Sequence, residues 1–229
     1  MARGDGKRWD MIFCNDVDLL YWEPDVMKEA AFASQTLEVG SGDVAGNLLS
    51  VTSGLSLTDQ KVAAGQVIVF SGAMAGSFPI TGVPGPFSLR FSALYDDLFP
   101  DSGSPPDSVG VASASGADFV VRTFWAQRKV VSDFLSQAVG IVPGTAQAQT
   151  ASVLNPRALR RAATLGTLQM IYNAMAAAAS DPAKFSLRAD LYERLYRRAL
   201  RQAQVDVDLD GDGKADVRRS PGLVRMARE

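Results

Sequence analysis

The feature that most constrains this chain is a change of pattern along its length. Between residues 38 and 124, Gly and Ser punctuate short apolar runs of strand length; on either side, apolar residues recur at helical spacing. Runs at 48–52, 66–70, 78–81, 87–95 and 119–124 read as strands, with Gly54, Gly65, Gly72, Gly76, Gly82 and Gly85 as turns between them. Phe87-Ser-Leu-Arg-Phe-Ser-Ala-Leu-Tyr alternates, as a sheet with one wet face requires. Five or so short strands predict a small barrel or sandwich. Pro100-Asp-Ser-Gly-Ser-Pro-Pro-Asp and the Ala/Ser/Gly run to Gly116 read as a loop leaving it.

The flanks predict helices. Pro24 between Glu23 and Asp25 suits a helix start, and Val26, Ala30, Ala33 and Leu37 give a face for a helix over 24–37. After Thr123, a candidate cap, Phe124, Val131, Phe134, Leu135 and Ala138 share a face, and Gly140 can end that helix. Asn155-Pro156 reads as cap and first turn of a long helix reaching Ala179. Ser180-Asp181-Pro182 separates it from a last helix lined by Phe185, Tyr192, Leu195, Tyr196 and Ala199. So short a link predicts an antiparallel pair. The expected fold is α+β: a small bundle of three to four helices with an inserted small β-barrel or sandwich and an extended C-terminal tail. Its parts are an N-terminal arm and first helix (1–37), the β module (38–122), the bundle (123–205) and the tail (206–229).

Composition removes several functions. The 229 residues include no His and one Cys, Cys14. That excludes His-dependent nucleophiles, His-ligated zinc and an internal disulfide. Arg3, Lys7 and Arg8 are followed by no apolar stretch, and no run approaches the ~18 apolar residues of a membrane span. The expectation is a soluble intracellular protein with no membrane contact. Net charge is −2 but uneven: residues 157–229 hold 14 of the 23 Lys/Arg and 9 of the 25 Asp/Glu, a local +5 against −7 elsewhere. Such polarity suits head-to-tail self-association or an anionic partner.

Asp208-Leu-Asp210-Gly-Asp212-Gly213-Lys-Ala-Asp216 supplies oxygens at positions 1, 3, 5 and 9 of a calcium loop, with glycine at position 6. Position 12, which needs an acid, is Arg219. Weak calcium binding by Asp208, Asp210, Asp212 and Asp216 is the one cofactor this chain suggests; the plainer reading is an acidic turn. Arg194, Arg197, Arg198 and Arg201 share a helix face that could meet an acidic partner or DNA phosphates, or simply face water. Tyr21, Trp22 and Pro24 beside acids, and Trp125 beside Gln127, Arg128 and Lys129, read first as core packing. Asp96 and Asp97 form no recognisable catalytic pair, Gly103-Ser104 lacks a phosphate-loop lysine, and Cys14 has no activating cation nearby in sequence. No enzymatic activity is expected.

Several stretches together resemble the head-to-tail adaptors (connectors) of tailed bacteriophages and gene-transfer particles. They are Asp18-Leu-Leu-Tyr-Trp-Glu-Pro with Glu29-Ala-Ala-Phe-Ala-Ser-Gln-Thr-Leu, Arg122-Thr-Phe-Trp-Ala-Gln-Arg-Lys-Val-Val, Leu159-Arg-Arg-Ala-Ala-Thr-Leu-Gly-Thr-Leu-Gln-Met-Ile-Tyr, and Ala189-Asp-Leu-Tyr-Glu-Arg-Leu-Tyr-Arg-Arg-Ala-Leu running into the Asp208 loop. The resemblance covers about half the chain as pattern. It implies a virion neck protein, assembled in the host cytoplasm, that forms a dodecameric ring beneath the portal. One side of the ring would meet the portal protein and the other a stopper or tail-completion protein. The tail, with Arg218, Arg219, Leu223, Val224 and Arg225, would dock on the portal. Arg194, Arg197, Arg198 and Arg201 would face the DNA exit channel without reading sequence. The alternative is a calcium-dependent interaction module built on the Asp-rich loop.

Overall fold

In the computed structural model, residues 11–93, 110–142 and 151–222 are described. The chain forms two compact units: Asn15–Phe124, and Met1–Cys14 joined with Trp125–Glu229.

The first unit opens with helix α1 (Asp16–Trp22). Asn15 and Asp18 start it through a reciprocal capping box, each side chain accepting the other's backbone N–H at 2.9 Å. The helix stops before Pro24, whose ring disfavours helical backbone at the preceding residue. The helix expected over 24–37 is therefore absent. A single turn, α2 (Val26–Glu29), is followed by a 3-10 turn at Ala33–Gln35 and then strand β1 (Thr36–Ala45).

Strands β1, β2 (Leu48–Ser53), β3 (Val67–Phe70), β4 (Gly76–Gly85), β5 (Ser88–Phe91) and β6 (Ala114–Arg122) close into a six-stranded barrel in the order β1-β2-β5-β4-β3-β6. Every pairing is antiparallel, and β1 meets β6 in register Val39↔Val120. The Ala/Ser/Gly run read as loop up to Gly116 already belongs to β6 from Ala114. Side chains fill the interior: Leu49, Ile68, Ile80, Leu89 and Val121 form one buried cluster with Phe70. Its ring centroid lies 5.2 Å from Phe91, 5.8 Å from Phe78 and 6.4 Å from Phe119. Such tilted aromatic pairs add about 1 kcal/mol each beyond area burial. β1 bends through a register shift at Ser41/Gly42. A Cβ on Gly42 would sit 2.7 Å from Leu49 Cδ1, so a side chain there would block the closure.

The two ends of this unit are tied by one carboxylate. Asp16 is fully buried, and its oxygens accept Thr123 Oγ1–H (2.7 Å) and Phe124 N–H (2.8 Å). Thr123, expected as a helix cap, is thus a donor to Asp16.

The second unit holds α3 (Trp125–Ala138), α4 (Arg157–Ala178), α5 (Ala183–Gln202) and a three-stranded antiparallel sheet, β7 (Ser152–Val153), β8 (Val205–Asp208) and β9 (Val217–Arg219), in the order β7-β8-β9. α4 lies at the centre and buries Leu159, Ala163, Leu165, Leu168, Ile171 and Tyr172. Gly166 allows α3 and α5 to approach it closely. Tyr172 stacks on Tyr192 of α5, centroids 5.6 Å apart. α3 buries Val131 and Leu135, but Phe134, expected on the same face, is 57 % exposed and Ala138 is also exposed. Asn155 does not cap α4 with its side chain. Its Oδ1 accepts Asp206 N–H (2.8 Å) and its Nδ2 donates to Gln204 O (3.2 Å), fixing the entry to β8.

The expected fold, a helical bundle carrying a β insertion, is thereby corrected. The protein is mixed α/β with a closed six-stranded barrel, and its helices do not make a bundle-dominated core. Nor is 206–222 an extended tail: β8 and β9 pair there, with Val205 and Val207 buried. Asp96, Asp97, the 100–107 loop, Gly103, Ser104, most of the linker after Val142, and Leu223, Val224 and Arg225 lie outside the described residues.

Candidate functional site

The Asp-rich loop is a β-hairpin connection. β8 and β9 align Asp206 with Arg218 and Val207 with Val217, and residues 209–216 turn between them. Alternation buries Val205 and Val207 and leaves Asp206 half-buried between them. Asp208, at the end of β8, is only 2 % exposed. Its Oδ1 accepts Gly211 N–H (2.6 Å) and its Oδ2 accepts Gly213 N–H (2.9 Å). Both glycines have positive φ, 84° and 85°, which a turn this tight around one carboxylate demands. Asp210 accepts Asp212 N–H at 3.0 Å, and Asp216 closes the loop by accepting Leu209 N–H at 2.6 Å while its own N–H donates to Val207 O at 3.0 Å.

Electrostatics follow from this wiring. For Asp208 the largest influence is desolvation, which opposes ionisation. Hydrogen bonds from Gly211, Gly213 and Asp210 together outweigh it and hold the carboxyl below the ordinary 3.8. Asp206 is held below the same value chiefly by the hydrogen bond from Arg218, whose Nε and Nη2 reach its oxygens at 2.6 and 3.2 Å. The same bond holds Arg218 above its own ordinary value.

One carboxylate oxygen from each of Asp208, Asp210 and Asp216 lies within 4.8 Å of the other two. An all-oxygen set of this kind suits a hard cation such as calcium, with backbone carbonyls or water completing six to eight ligands. Asp212, the fourth expected ligand, is outside this group. Its carboxylate accepts Lys214 N–H (2.7 Å) and pairs with Lys214 Nζ at 3.7 Å. Arg219, at the position where a helix–loop–helix calcium site places its last acid, points elsewhere and donates to Val139 O at 2.7 Å. In a hairpin, Asp216 returns to the cluster through strand pairing, so the geometry does not depend on a twelfth-position acid.

Arg194, Arg197, Arg198 and Arg201 all lie on the exposed side of α5, away from buried Ala189, Tyr192 and Ala199. Arg197 pairs with Glu193 one turn earlier. Toward the N-terminus the same side carries Leu187 and Leu191, 71 % and 43 % exposed. Tyr21 and Trp22, read first as core, are each 39 % exposed, and Trp125 is 49 % exposed. Cys14 is buried, its Sγ 3.9 Å from Thr167 Oγ1.

Sequence reasoning did not single out Asp16, Glu38 or Arg128 as buried charges. Glu38 accepts Leu55 N–H (2.6 Å), and Arg128 donates to Cys14 O (3.0 Å). For Asp16 there was a signal in the Asn15-x-x-Asp18 box, which marks a helix start and places Asp16 in its first turn.

Compared with known proteins, the chain matches no family model, no curated protein and no solved structure. Among the described residues no helix is long and apolar enough to cross a membrane.

Proposed function

We propose that this is a non-enzymatic virion protein of the neck: a head-to-tail adaptor that assembles as a ring under the portal protein and joins it to a stopper or tail-completion protein. The observation that carries the reading is where the resembling segments fall. Three of them lie in or run into α3, α4, α5 and the Asp208 hairpin, and all of these belong to one compact unit. The barrel is an excursion that leaves this unit at Asn15 and returns after Phe124. A closed ring needs two different complementary patches per copy. The −7 and +5 partition of charge offers them. Immunogold electron microscopy with an antibody to this chain tests the proposal. Label at the single head–tail vertex supports it; label absent from particles, with the protein free in cytoplasm, removes it.

A second reading, a calcium-dependent interaction module, is favoured by the convergence of Asp208, Asp210 and Asp216. Titration calorimetry should then give calcium binding of micromolar to millimolar strength that Asp210→Ala abolishes. No heat from the wild-type chain removes this reading.

A further inference from the structure

The outer side of α5 changes character along its length. Leu187, Leu191, Arg194, Arg198 and Arg201 recur at intervals of three or four and lie side by side on one exposed stripe. Its first half is apolar, with Leu187 71 % and Leu191 43 % exposed; its second half is cationic. Among the described residues, Arg194, Arg198 and Arg201 take no ion-pair partner, whereas Arg197 is held by Glu193. DNA phosphates would match the arginines but offer nothing to the leucines. A protein surface that is apolar and acidic would match both.

One such surface lies elsewhere on the same chain. At the end of α1, Tyr21 and Trp22 are each 39 % exposed, and the next residues are Glu23, Pro24 and Asp25, the last two exposed. Asp25 forms a surface ion pair with Lys28, at 3.3 Å. Adjacent exposed aromatics bordered by carboxylates have the composition of an interface anchor. The corner is anionic and aromatic, and the stripe is cationic and aliphatic. Arginine over an indole or phenol face adds a cation–π component to the charge match.

We propose that the Tyr21/Trp22 corner of one copy seats on the Leu187/Leu191 and Arg194/Arg198 stripe of a second copy. The proposal deepens the ring reading, on which it rests, by naming the two patches. Because the patches differ, each copy keeps one of each unused after pairing, and association continues head to tail until it closes. It also takes Arg194 and Arg198 away from the channel lining.

The test is sedimentation velocity on the full chain and two variants. The corner variant is Asp25→Lys with Trp22→Ala; the stripe variant is Leu187→Ser with Arg194→Ala. Asp25→Lys alone serves as a milder corner variant should loss of Trp22 disturb folding, which circular dichroism reports. The wild type should assemble with concentration, and each variant should need at least about tenfold more protein to do so. An equimolar mixture of the two variants should form dimers and nothing larger, since only one intact pairing remains. A wild type that stays monomeric, variants that assemble like the wild type, or a mixture that stays monomeric each overturns the proposal. So does duplex DNA that binds the wild type and not the stripe variant while neither assembles. The neck reading is judged separately by particle labelling, so a monomeric chain found at the vertex would remove this interface and leave the location standing.

Discussion

Gly166 sits where three helices meet. A Cβ there would lie 2.9 Å from Val131 Cγ1 on α3 and 3.1 Å from Tyr196 Cε2 on α5. Val131 is β-branched and cannot swing aside easily. Gly166→Leu should therefore cost about 2–3 kcal/mol, read as a lower urea midpoint with unchanged slope. Gly166→Ala meets the same first contact with Val131 and should cost less than Gly166→Leu, because a helix-propensity gain of roughly 1 kcal/mol offsets part of the crowding. Asp16 gives a second residue-scale expectation. Asp16→Ala strips the acceptor from the Thr123 hydroxyl and the Phe124 amide, both part of a buried cluster. The loss should be about 3 kcal/mol in the same urea assay.

Among elements, the β8–β9 hairpin has the clearest pH signature. Asp206 and Asp208 are both held below 3.8 when folded. Their contribution to stability is thus present above that value and is lost as pH falls through the still lower folded values. Arg218 is raised, so its contribution persists through neutral pH and fades only in strong alkali. NMR amide signals of Gly211 and Gly213 should hold steady from neutral pH to about 4 and then shift together on further acidification. Movement near neutral pH would contradict the wiring of Asp208. The elements also show what a sequence gives up. The strands after residue 48 were readable because glycines bracket their apolar runs, and α4 and α5 because their periodicity is long. β1 was hidden because Glu38, Gly40, Ser41, Gly42 and Asp43 break up its apolar residues, and the helix expected over 24–37 rested on the chance spacing of Val26, Ala30, Ala33 and Leu37, although Asn15, Asp18 and Pro24 already mark where α1 starts and stops. β8 and β9 were missed because the acidic turn dominates their composition. The acid cluster was legible as a motif, but the release of Asp212 to Lys214 depends on side-chain orientation that spacing does not encode.

For the molecule as a whole, the division at Asn15 and Phe124 carries an expectation of its own. The barrel unit has a filled aromatic interior, and Asp16 ties its two ends together within the unit. A fragment of residues 15–124 should melt as one cooperative transition by calorimetry, with Asp16→Ala lowering its midpoint. A broad, non-cooperative melt would show that the barrel needs the rest of the chain. Barrel closure also governs how copies of this protein can go wrong. With β1 paired to β6, all six strands have neighbours on both sides and offer no free backbone rim to a passing strand. The sheet β7-β8-β9 does have rims, on β7 and β9, each only two or three residues long. β9 is further guarded by Arg218 and Arg219, charges that discourage a strand from adding there. Among the described residues, fibrous aggregation of the folded protein is therefore limited to two short, partly charged stretches, which leaves few places where backbone can zip to backbone.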